Sequence, residues 1–469
     1  MGFDKYTSKS YRVSVMGRKI AVVGMSPAGL VQLASLVKGR GAYEEFSDDE
    51  YVLIHDPDKV YNYMLSGTNP AFFDELTEVT NLTRRYLMKY ASATDSIGYK
   101  YVGWGAGKKN FFATYNHQLG AHFDIVGFRT ALLKDGGQAF GEGVSIVEQR
   151  IDGFAIEGDG CILNGTKYDY VIDCTDKEPL TEPGSYGKPN FCPVNSAIIV
   201  EKPEPGNWNY TIAYAAKHGH VTGIPLRDKQ IWIYSFDRKV HDENQIFADF
   251  ATALPDDDLK SYKWDKVEWN PCTSAYLIHE TGRYCRNGAA AVNADPLTAV
   301  QYEFAQVIAD EIDQWIFRDS EDDPFEIYKA IQENYEDSLN ESFMGMIAYM
   351  YHLGSRHKTA FWKTAKEDAR KMLTGPAFLH PGYFPGKVWI DEVLSEEWGD
   401  AEYRKLLFEN DEVEDLGGRV GMMPLVVMNS YVTFYEIANG LGAPYAKYLR
   451  GLENIYPPEK FGTIGYDYF

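Results

Sequence analysis

A glycine-rich turn near the N-terminus has the residue types and spacing that bind a phosphate group. It reads Gly24-Met25-Ser26-Pro27-Ala28-Gly29. An apolar run typical of a buried parallel strand precedes it, and apolar residues at helical spacing follow it. Backbone N–H groups at such a turn, together with the helix dipole, bind the pyrophosphate of a dinucleotide. An ordinary strand-to-helix turn is the alternative, because a lone fingerprint is a weak signal.

An acidic residue lies where a dinucleotide would place its ribose. The apolar run 51–55 is followed by Asp56, whose carboxylate could accept hydrogen bonds from the ribose hydroxyls. Strand, glycine-rich turn, helix and strand form a βαβ unit. The sequence therefore predicts a Rossmann-like, doubly wound α/β fold.

Two later segments carry small residues of the kind that lie against a cofactor. One is Val171-Ile172-Asp173-Cys174-Thr175, at the end of a predicted strand. The other contains Gly288-Ala289-Ala290 and, a few residues later, Asp295-Pro296-Leu297 before a predicted helix. Small residues let a backbone approach a ligand, and a helix N-terminus stabilises negative charge. Either segment alone could simply be a loop that closes the core.

Composition excludes several classes of protein. The chain has 469 residues, 68 of them Asp or Glu against 46 Lys or Arg, and a formal charge of −22. Such an acidic protein repels nucleic acid, which we do not expect as a partner. No run of about 20 apolar residues and no apolar secretory core occurs, so we expect no membrane partner. Five scattered Cys favour the reducing cytoplasm and offer no structural metal site.

The three small-residue motifs in this order resemble the flavin-dependent halogenases of the tryptophan-halogenase type, relatives of flavin monooxygenases. The resemblance covers roughly residues 19–365. The glycine-rich turn matches the family motif GxGxAG. The strand end with Asp-Cys-Thr matches IDCTG, and the segment from Gly288 to Asp-Pro-Leu matches GNAAGFxEPL. Thr68 and Pro70 match its GEATIP strap. A fifth match, to HYRxxxRxDTPFW, is the most specific and consists of Tyr351, Arg356, Thr359, Phe361 and Trp362.

The resemblance implies a two-component halogenation chemistry. A separate flavin reductase supplies FADH2, and O2 converts it to a flavin C4a-hydroperoxide. A halide attacks the hydroperoxide, and the resulting hypohalous acid passes through a tunnel to the substrate, where a Lys positions it. An electron-rich aromatic ring then takes the halogen. The protein contributes orientation, electrostatics and exclusion of water.

The resemblance also implies how the chain is divided into regions and which residues contact FAD. Residues 18–190 and 280–330 are expected to bind FAD, 191–279 to form an inserted antiparallel sheet on the substrate side, and 331–469 to be a helical C-terminal region. The expected FAD contacts are Gly24, Ser26, Ala28, Gly29, Asp56, Thr68, Gly288, Asp295, Pro296 and Leu297.

The catalytic Lys of the family is missing. The segment 93–104 aligns with the family strand ATFKxGIxFxxW, and the Lys position is Ser96. If 96–104 is one alternating strand, Lys100 lies on the same face as Ser96. We take Ser96 and Lys100 as catalytic candidates, with a solvated strand residue as the alternative for Lys100.

Other departures concern the substrate side. At the family motif WxWxIP, His220 and Thr222 stand in place of the two Trp residues. We expect no metal at His220, because the sequence offers no third ligand nearby. In its HxFG segment His117 is kept and Leu119 replaces Phe; a surface His is the alternative. We expect these four residues to lie on the substrate side.

The family's PLEST segment has also changed. Its Glu, which holds the amine of tryptophan, is Thr298 here, on the substrate side. Ala299 and Val300 replace the Ser-Thr pair beside the halide. Without hydroxyl donors a small, strongly hydrated anion is disfavoured, so bromide or iodide should be used better than chloride.

The sequence thus predicts an FADH2-dependent halogenase of an electron-rich aromatic or heteroaromatic small molecule other than free tryptophan. Two alternatives stay open: a flavin-dependent aromatic hydroxylase and a non-catalytic flavin-binding protein. The substrate, the regiochemistry, the reductase and the oligomeric state are left open.

Overall fold

The architecture is taken from a computed structural model of the chain. It describes residues 17–373, except 44–45, 58–66, 69–77, 81–82, 106–109, 115–118, 136–137, 176–179, 181–184, 240–241, 255–258, 298–299 and 319–322.

Twenty-one strands lie in the described part of the chain. In chain order they are β1 Lys19–Val23, β2 Glu50–His55, β3 Gly67–Thr68, β4 Thr94–Ser96, β5 Gly98–Val102, β6 Phe111–Thr114, β7 Gly120–His122, β8 Val144–Glu148, β9 Phe154–Glu157, β10 Gly160–Leu163, β11 Thr166–Tyr168, β12 Tyr170–Asp173, β13 Tyr186–Gly187, β14 Ser196–Lys202, β15 Thr211–Ala216, β16 Gly219–Pro225, β17 Gln230–Phe236, β18 Lys263–Glu268, β19 Cys272–Ser274, β20 Tyr284–Arg286 and β21 Val292–Asn293.

Eight α-helices accompany them in the same residues. They are α1 Pro27–Ala42, α2 Arg84–Tyr90, α3 Ile125–Asp135, α4 Glu243–Ala253, α5 Val300–Ile316, α6 Pro324–Asp337, α7 Gly345–Leu353 and α8 Ala360–Leu373, with a π-helical turn at Ser338–Met344 between α6 and α7. None of the helices in these ranges is long and apolar enough to cross a membrane.

A five-stranded parallel sheet carries the glycine-rich turn. Its order is β20-β12-β1-β2-β8, and each neighbouring pair is parallel. The central strand β1 is buried from Ile20 to Val23, as the near-continuous apolar sequence of a covered parallel strand requires. Helix α1 begins directly after the turn and packs on α5. The predicted Rossmann-like α/β fold is confirmed.

A seven-stranded sheet forms the second layer. Its order is β18-β14-β17-β16-β15-β5-β6, and every pair is antiparallel except β15 with β5. Strands β14 to β18 come from the region predicted as an inserted antiparallel sheet. Strands β5 and β6 come from much earlier in the chain and extend the sheet at one edge.

The two faces of this sheet belong to different cores. We call the face of Tyr99, Tyr101, Ala213 and Ala215 the inner face, because its apolar residues share one core with the parallel sheet. Residues paired across neighbouring strands lie on the same face. By that register His220 and Thr222 are on the inner face as well. The outer face packs against α4.

The prediction of a single alternating strand at 96–104 is wrong. The segment forms two strands in two different sheets, because β4 joins β3 and β7 while β5 joins the seven-stranded sheet. Gly98 begins β5 at φ +135°, a conformation that side chains rarely adopt, and this turns the chain between the sheets. Ser96 and Lys100 therefore do not share a face of one strand.

Residues of the segment that matches HYRxxxRxDTPFW make hydrogen bonds to the β15–β16 hairpin. Consecutive carbonyls of the β15–β16 hairpin accept hydrogen bonds from the segment at the start of α8: Ala215 from His357 at 3.0 Å, Ala216 from Trp362 Nε1 at 2.7 Å and Lys217 from Thr359 at 2.6 Å. Arg356 donates to the Tyr214 hydroxyl at 2.7 Å. We call His357, Thr359 and Trp362 the hairpin clamp. Residues 374–469 of the predicted helical region lie outside the described residues.

Removing one bond of the hairpin clamp should destabilise the protein. Trp362→Phe keeps a ring but leaves the Ala216 carbonyl without its donor, so the free energy of unfolding should fall by about 1–3 kcal/mol. Urea unfolding measures the change. Lys363→Ala, on the exposed side of α8, is the control and should stay within about 0.5 kcal/mol of the parent. Equal stability of both variants would contradict the clamp.

Candidate active site

The glycine-rich turn is built for close backbone approach. Ser26 caps α1: its Oγ accepts from the Gly29 N–H at 3.2 Å and donates to the Cys174 carbonyl at 2.9 Å. Gly24 has φ +107°, and a Cβ there would lie 2.5 Å from the same carbonyl. A Cβ on Gly29 would lie 2.0 Å from the Gly24 carbonyl oxygen. Both glycines are therefore required by the packing of turn, helix and strand.

The segment around Gly288 crosses the start of α1. Gly288 has φ +59°, and a Cβ there would meet the Ala28 Cβ at 2.4 Å. Asn287 is fully buried and donates to Gln32 on α1 at 2.9 Å. Its N–H donates to the Asp173 carbonyl at 2.8 Å. The three small-residue motifs thus meet at the carboxyl ends of β1, β12 and β20.

The Asp-Cys-Thr strand end is held by a buried carboxylate. Asp173 accepts from the Thr175 hydroxyl at 2.7 Å and from the Tyr284 hydroxyl at 2.7 Å. It also accepts from the Leu180 N–H at 2.8 Å. These bonds fix the backbone that receives the Ser26 hydroxyl. Asp173 therefore positions the turn and does not point to a ligand.

Asp56 lies where a ribose partner is expected in a Rossmann-like fold. It follows β2 directly and is half-buried, and the neighbouring Ile54 carbonyl accepts from the Gly24 N–H at 2.8 Å. The structure thus brings Asp56 to the edge of the sheet that carries the glycine-rich turn. Its contact with a ribose stays a prediction.

Asp295 lies at the centre of a second, fully buried cluster. Its Oδ1 accepts from His220 Nε2 at 3.0 Å and from the Leu297 N–H at 2.9 Å. Its Oδ2 accepts from the Tyr351 hydroxyl at 2.9 Å. Burial and the Asp295 charge raise the pKa of Tyr351 well above its usual value, so the hydroxyl stays a donor. The carboxylate expected to touch FAD is thus engaged by protein groups.

Aromatic rings enclose this cluster. Tyr351 lies 5.7 Å from Trp104 and 5.4 Å from Trp362 between ring centroids, and the Trp104 centroid is 6.5 Å from that of His220. Pro296 and Leu297 are buried beside Asp295. We call residues 295–297 the Asp-Pro-Leu loop. It is therefore fixed from its first residue by groups from β16 and α7.

The two catalytic candidates lie apart. Ser96 is buried on β4 opposite Gly120, in the small sheet that also contains Thr68. Lys100 is on the outer face of the seven-stranded sheet, with its Nζ 5.5 Å from the Phe112 ring and 5.5 Å from the Tyr210 ring. It therefore points away from the face that holds His220 and Thr222.

A buried histidine lies on the strand that pairs with the strand of Ser96. On the neighbouring strand β7, His122 is fully buried and its Nε2 is 2.8 Å from the Thr211 hydroxyl. Burial lowers the pKa of His122 to about 3, so it is neutral at physiological pH. The surroundings of Ser96 thus contain a neutral imidazole.

Some expected residues cannot be placed. His117, Thr298, Ala299 and Pro70 lie outside the described residues, and the side chains of Thr68 and Val300 are likewise not described. Leu119 is 44% exposed, and Thr222 is half-buried. Among the described residues no group of three His, Cys, Asp or Glu side chains could hold a metal ion.

The Asp295–His220–Tyr351 cluster was not predicted. The three residues are separated by 75 and 56 positions along the chain from His220 to Asp295 and from Asp295 to Tyr351. Each belongs to a different motif, and His220 at a Trp position of the family is the sequence feature that marks the cluster. Trp104 is the last residue of the segment 93–104 that resembles the family strand.

The turn fits a flavin dinucleotide. Its first helical turn has no acidic residue, so the dipole at the start of α1 is free to favour a pyrophosphate. Glycine at positions 24 and 288 lets the turn pack on the Cys174 carbonyl and the Gly288 segment pack on Ala28, so the two loops meet beside the start of α1. Ser26 takes the Gly29 N–H, so an anion would use the helix dipole and the N–H groups that Ser26 does not cap.

Comparisons with known proteins agree with this arrangement. The sequence profile of the tryptophan halogenase family matches residues 113–374, more than half of the chain. A search of curated proteins finds no match.

Solved structures share the fold. A tryptophan 6-halogenase from Streptomyces toxytricini has a TM-score of 0.64 at 15% identity, over 94% of this chain and 98% of its own. BrvH, a flavin-dependent halogenase from Brevundimonas sp. BAL3, has 0.61 at 15%, over 93% and 100%. MibH, a lathipeptide tryptophan 5-halogenase, has 0.65 at 13%, over 97% and 97%. The chain belongs to the tryptophan halogenase family of flavin-dependent halogenases.

Proposed function

We propose that the protein is an FADH2-dependent halogenase of an electron-rich aromatic or heteroaromatic small molecule other than free tryptophan. The observation that carries the proposal is the convergence of the Gly24 turn and the Gly288 segment on Ala28, with the Asp-Pro-Leu loop fixed close by in the chain. Bound FADH2 supplies the oxidising chemistry with O2, and the halide is the second inorganic substrate. A separate reductase is the expected source of reduced flavin, since the sequence offers no recognisable NAD(P)H site.

The residues of this chain contribute binding and orientation. The helix dipole of α1 and the N–H groups of the turn that Ser26 does not cap hold the pyrophosphate, and Asp56 binds the ribose. Asp295 fixes the Asp-Pro-Leu loop through its bond from the Leu297 N–H. The rings of Trp104, Tyr351 and Trp362 exclude water from the region behind that loop. No proton transfer is assigned to Asp295, because it already accepts three hydrogen bonds.

Free tryptophan is a poor candidate for the substrate. Two of the structural neighbours act on tryptophan by their descriptions, one of them on a lathipeptide tryptophan. In this chain Thr298 replaces the Glu that holds the tryptophan amine in the family, and His220 and Thr222 replace two Trp. Smaller and more polar side chains on the inner face favour a differently shaped, hydrogen-bonding ring.

A flavin-dependent hydroxylase is the second candidate, and Ser96 in place of the family Lys favours it. Product mass from turnovers with and without bromide separates the two functions. A halogenase gives a mass increase only with halide, whereas a hydroxylase adds oxygen in both reactions. A protein that binds flavin but does not consume O2 when given FADH2 would be a non-catalytic flavin-binding protein.

A methyl group at Gly288 should weaken flavin binding. Gly288→Ala forces a Cβ against Ala28 in a backbone conformation that disfavours it, so the Kd for FAD should rise by about tenfold or more. Flavin fluorescence titration measures it. Gly165→Ala is the matched control, since Gly165 has φ +81° and nothing within 4 Å of the added Cβ. If both variants bind FAD like the parent, the packing of Gly288 on Ala28 is not needed for flavin binding.

Halide competition should favour the larger anions. With bromide and chloride at equal concentration, brominated product should exceed chlorinated product by about fivefold or more. The factor corresponds to about 1 kcal/mol, the contribution of one hydrogen bond that the missing Ser-Thr pair would have donated. Mass spectrometry of the product gives the ratio. A clear preference for chloride would contradict the assignment of Ala299 and Val300 to the halide site.

A further inference from the structure

A fully buried arginine lies two residues before Gly288. Arg286 is the last residue of β20, and its side chain is 0% exposed. Its guanidinium lies between two tyrosine rings, 4.3 Å from the ring centroid of Tyr186 and 4.2 Å from that of Tyr276. Cation–π contacts are strongest where water is excluded. The two rings therefore help to offset the lost hydration of a charged group.

The same guanidinium donates hydrogen bonds to two strands of the three-stranded sheet β13-β19-β21, which we call the β19 sheet. Nη1 donates to the Ser274 Oγ on β19, and Nη2 donates to the Ser185 Oγ beside β13, both at 2.6 Å. Tyr186 on β13 pairs with Ser274. The planar fork of an arginine can stack on rings and donate in two directions at once, unlike a lysine ammonium. Arg286 thus joins the parallel sheet to the β19 sheet and holds the Tyr186 ring in place.

Tyr186 connects the β19 sheet to the Gly288 segment. Its hydroxyl donates to the Ala290 carbonyl at 2.9 Å. The next carbonyl, that of Ala291, accepts from the Ser274 N–H at 2.7 Å. Ala290 ends the short helical turn that begins at Gly288, and Gly288 packs on the start of α1. The backbone beside the glycine-rich turn is therefore held by groups of the β19 sheet.

We propose that Arg286 is a positioning residue for flavin binding, which acts through the Tyr186 hydroxyl on the Gly288 segment. The proposal rests on the proposed function in that the ligand is FAD. The guanidinium orients the Tyr186 ring, and the hydroxyl of that ring orients the backbone that packs on Ala28. A site that is held in its binding conformation before the ligand arrives binds more tightly, because less ordering is needed on binding. Arg286 and Tyr186 therefore raise the affinity for flavin and leave the chemical step unchanged.

Tyr186→Phe tests the link with the smallest change. The ring that stacks on the guanidinium stays, and the donor to the Ala290 carbonyl is lost. The Kd for FAD, measured by flavin fluorescence titration, should rise about fivefold. In turnover the KM for FADH2 should rise by about the same factor while kcat stays unchanged, because only uniform binding is lost. A Kd equal to that of the parent would overturn the proposal.

Tyr276→Phe is the matched control. Tyr276 stacks on the other side of the guanidinium, and its hydroxyl has no hydrogen-bond partner in the described part of the chain. This variant should bind FAD like the parent. If it weakened FAD binding as much as Tyr186→Phe does, the bond to the Ala290 carbonyl would not be the cause, and the proposed link would be refuted.

A double-mutant cycle tests whether Arg286 acts through Tyr186. Arg286→Lys keeps the positive charge but loses the planar fork, so the Kd for FAD should rise about tenfold. Adding Tyr186→Phe to this variant should change the Kd little further, because both substitutions break the same link. A combined increase of about fiftyfold, the product of the single effects, would show two independent contributions and would contradict the proposal.

The outcomes distinguish this proposal from the proposed function. A parent protein that binds no FAD would refute the proposed function, and the positioning role with it. A parent that binds FAD, together with a Tyr186→Phe variant that binds it equally well, would refute the positioning role alone. If Arg286→Lys does not fold, the comparison of Tyr186→Phe with Tyr276→Phe still decides the question, since both variants keep the stacked rings.

Discussion

The carboxylate of Asp295 sets the strongest constraint on this structure. A fully buried carboxylate is tolerated only when donors compensate for its lost hydration. Here the donors come from β16, from α7 and from the loop itself. Leaving a buried polar group without one of its hydrogen-bond donors costs about 1–3 kcal/mol, and more when the group is charged. The seven-stranded sheet, the C-terminal helices and the Asp-Pro-Leu loop therefore cannot move independently of one another.

The hairpin clamp gives a structural role to the most specific family match, which lies far from the flavin motifs in the sequence. Thr359 and Trp362 donate to backbone carbonyls, which every sequence provides, so their contribution is to place the hairpin. That hairpin carries His220, and Tyr351 from the same match holds Asp295 directly. The residues of this match therefore position the hairpin and Asp295. They can be retained while the residues on the hairpin, such as His220, differ from those of the family.

The parallel layer could be predicted from the sequence because its signals are local. A buried strand, a turn with Gly24 and a capping Ser26, and a helix follow one another within a few residues. The separation of Ser96 from Lys100 could not be predicted by the same reasoning. It depends on the positive φ of Gly98 and on pairing of β5 with β15, more than a hundred residues away. Alternation along a strand says nothing about where one strand ends and another begins.

Pairing across distant segments also explains why the buried cluster was missed. His220 in a Trp position indicates a polar substitution, but its partner could be identified only once β16 and the Asp-Pro-Leu loop lay together. The charged and neutral groups near the sheet are distributed as follows. Lys100 is on the outer face, His122 near Ser96 is neutral, and the inner face holds a carboxylate with three donors. An ammonium at position 96 would have added a cation on the strand next to the neutral His122, whereas the Ser96 hydroxyl adds none.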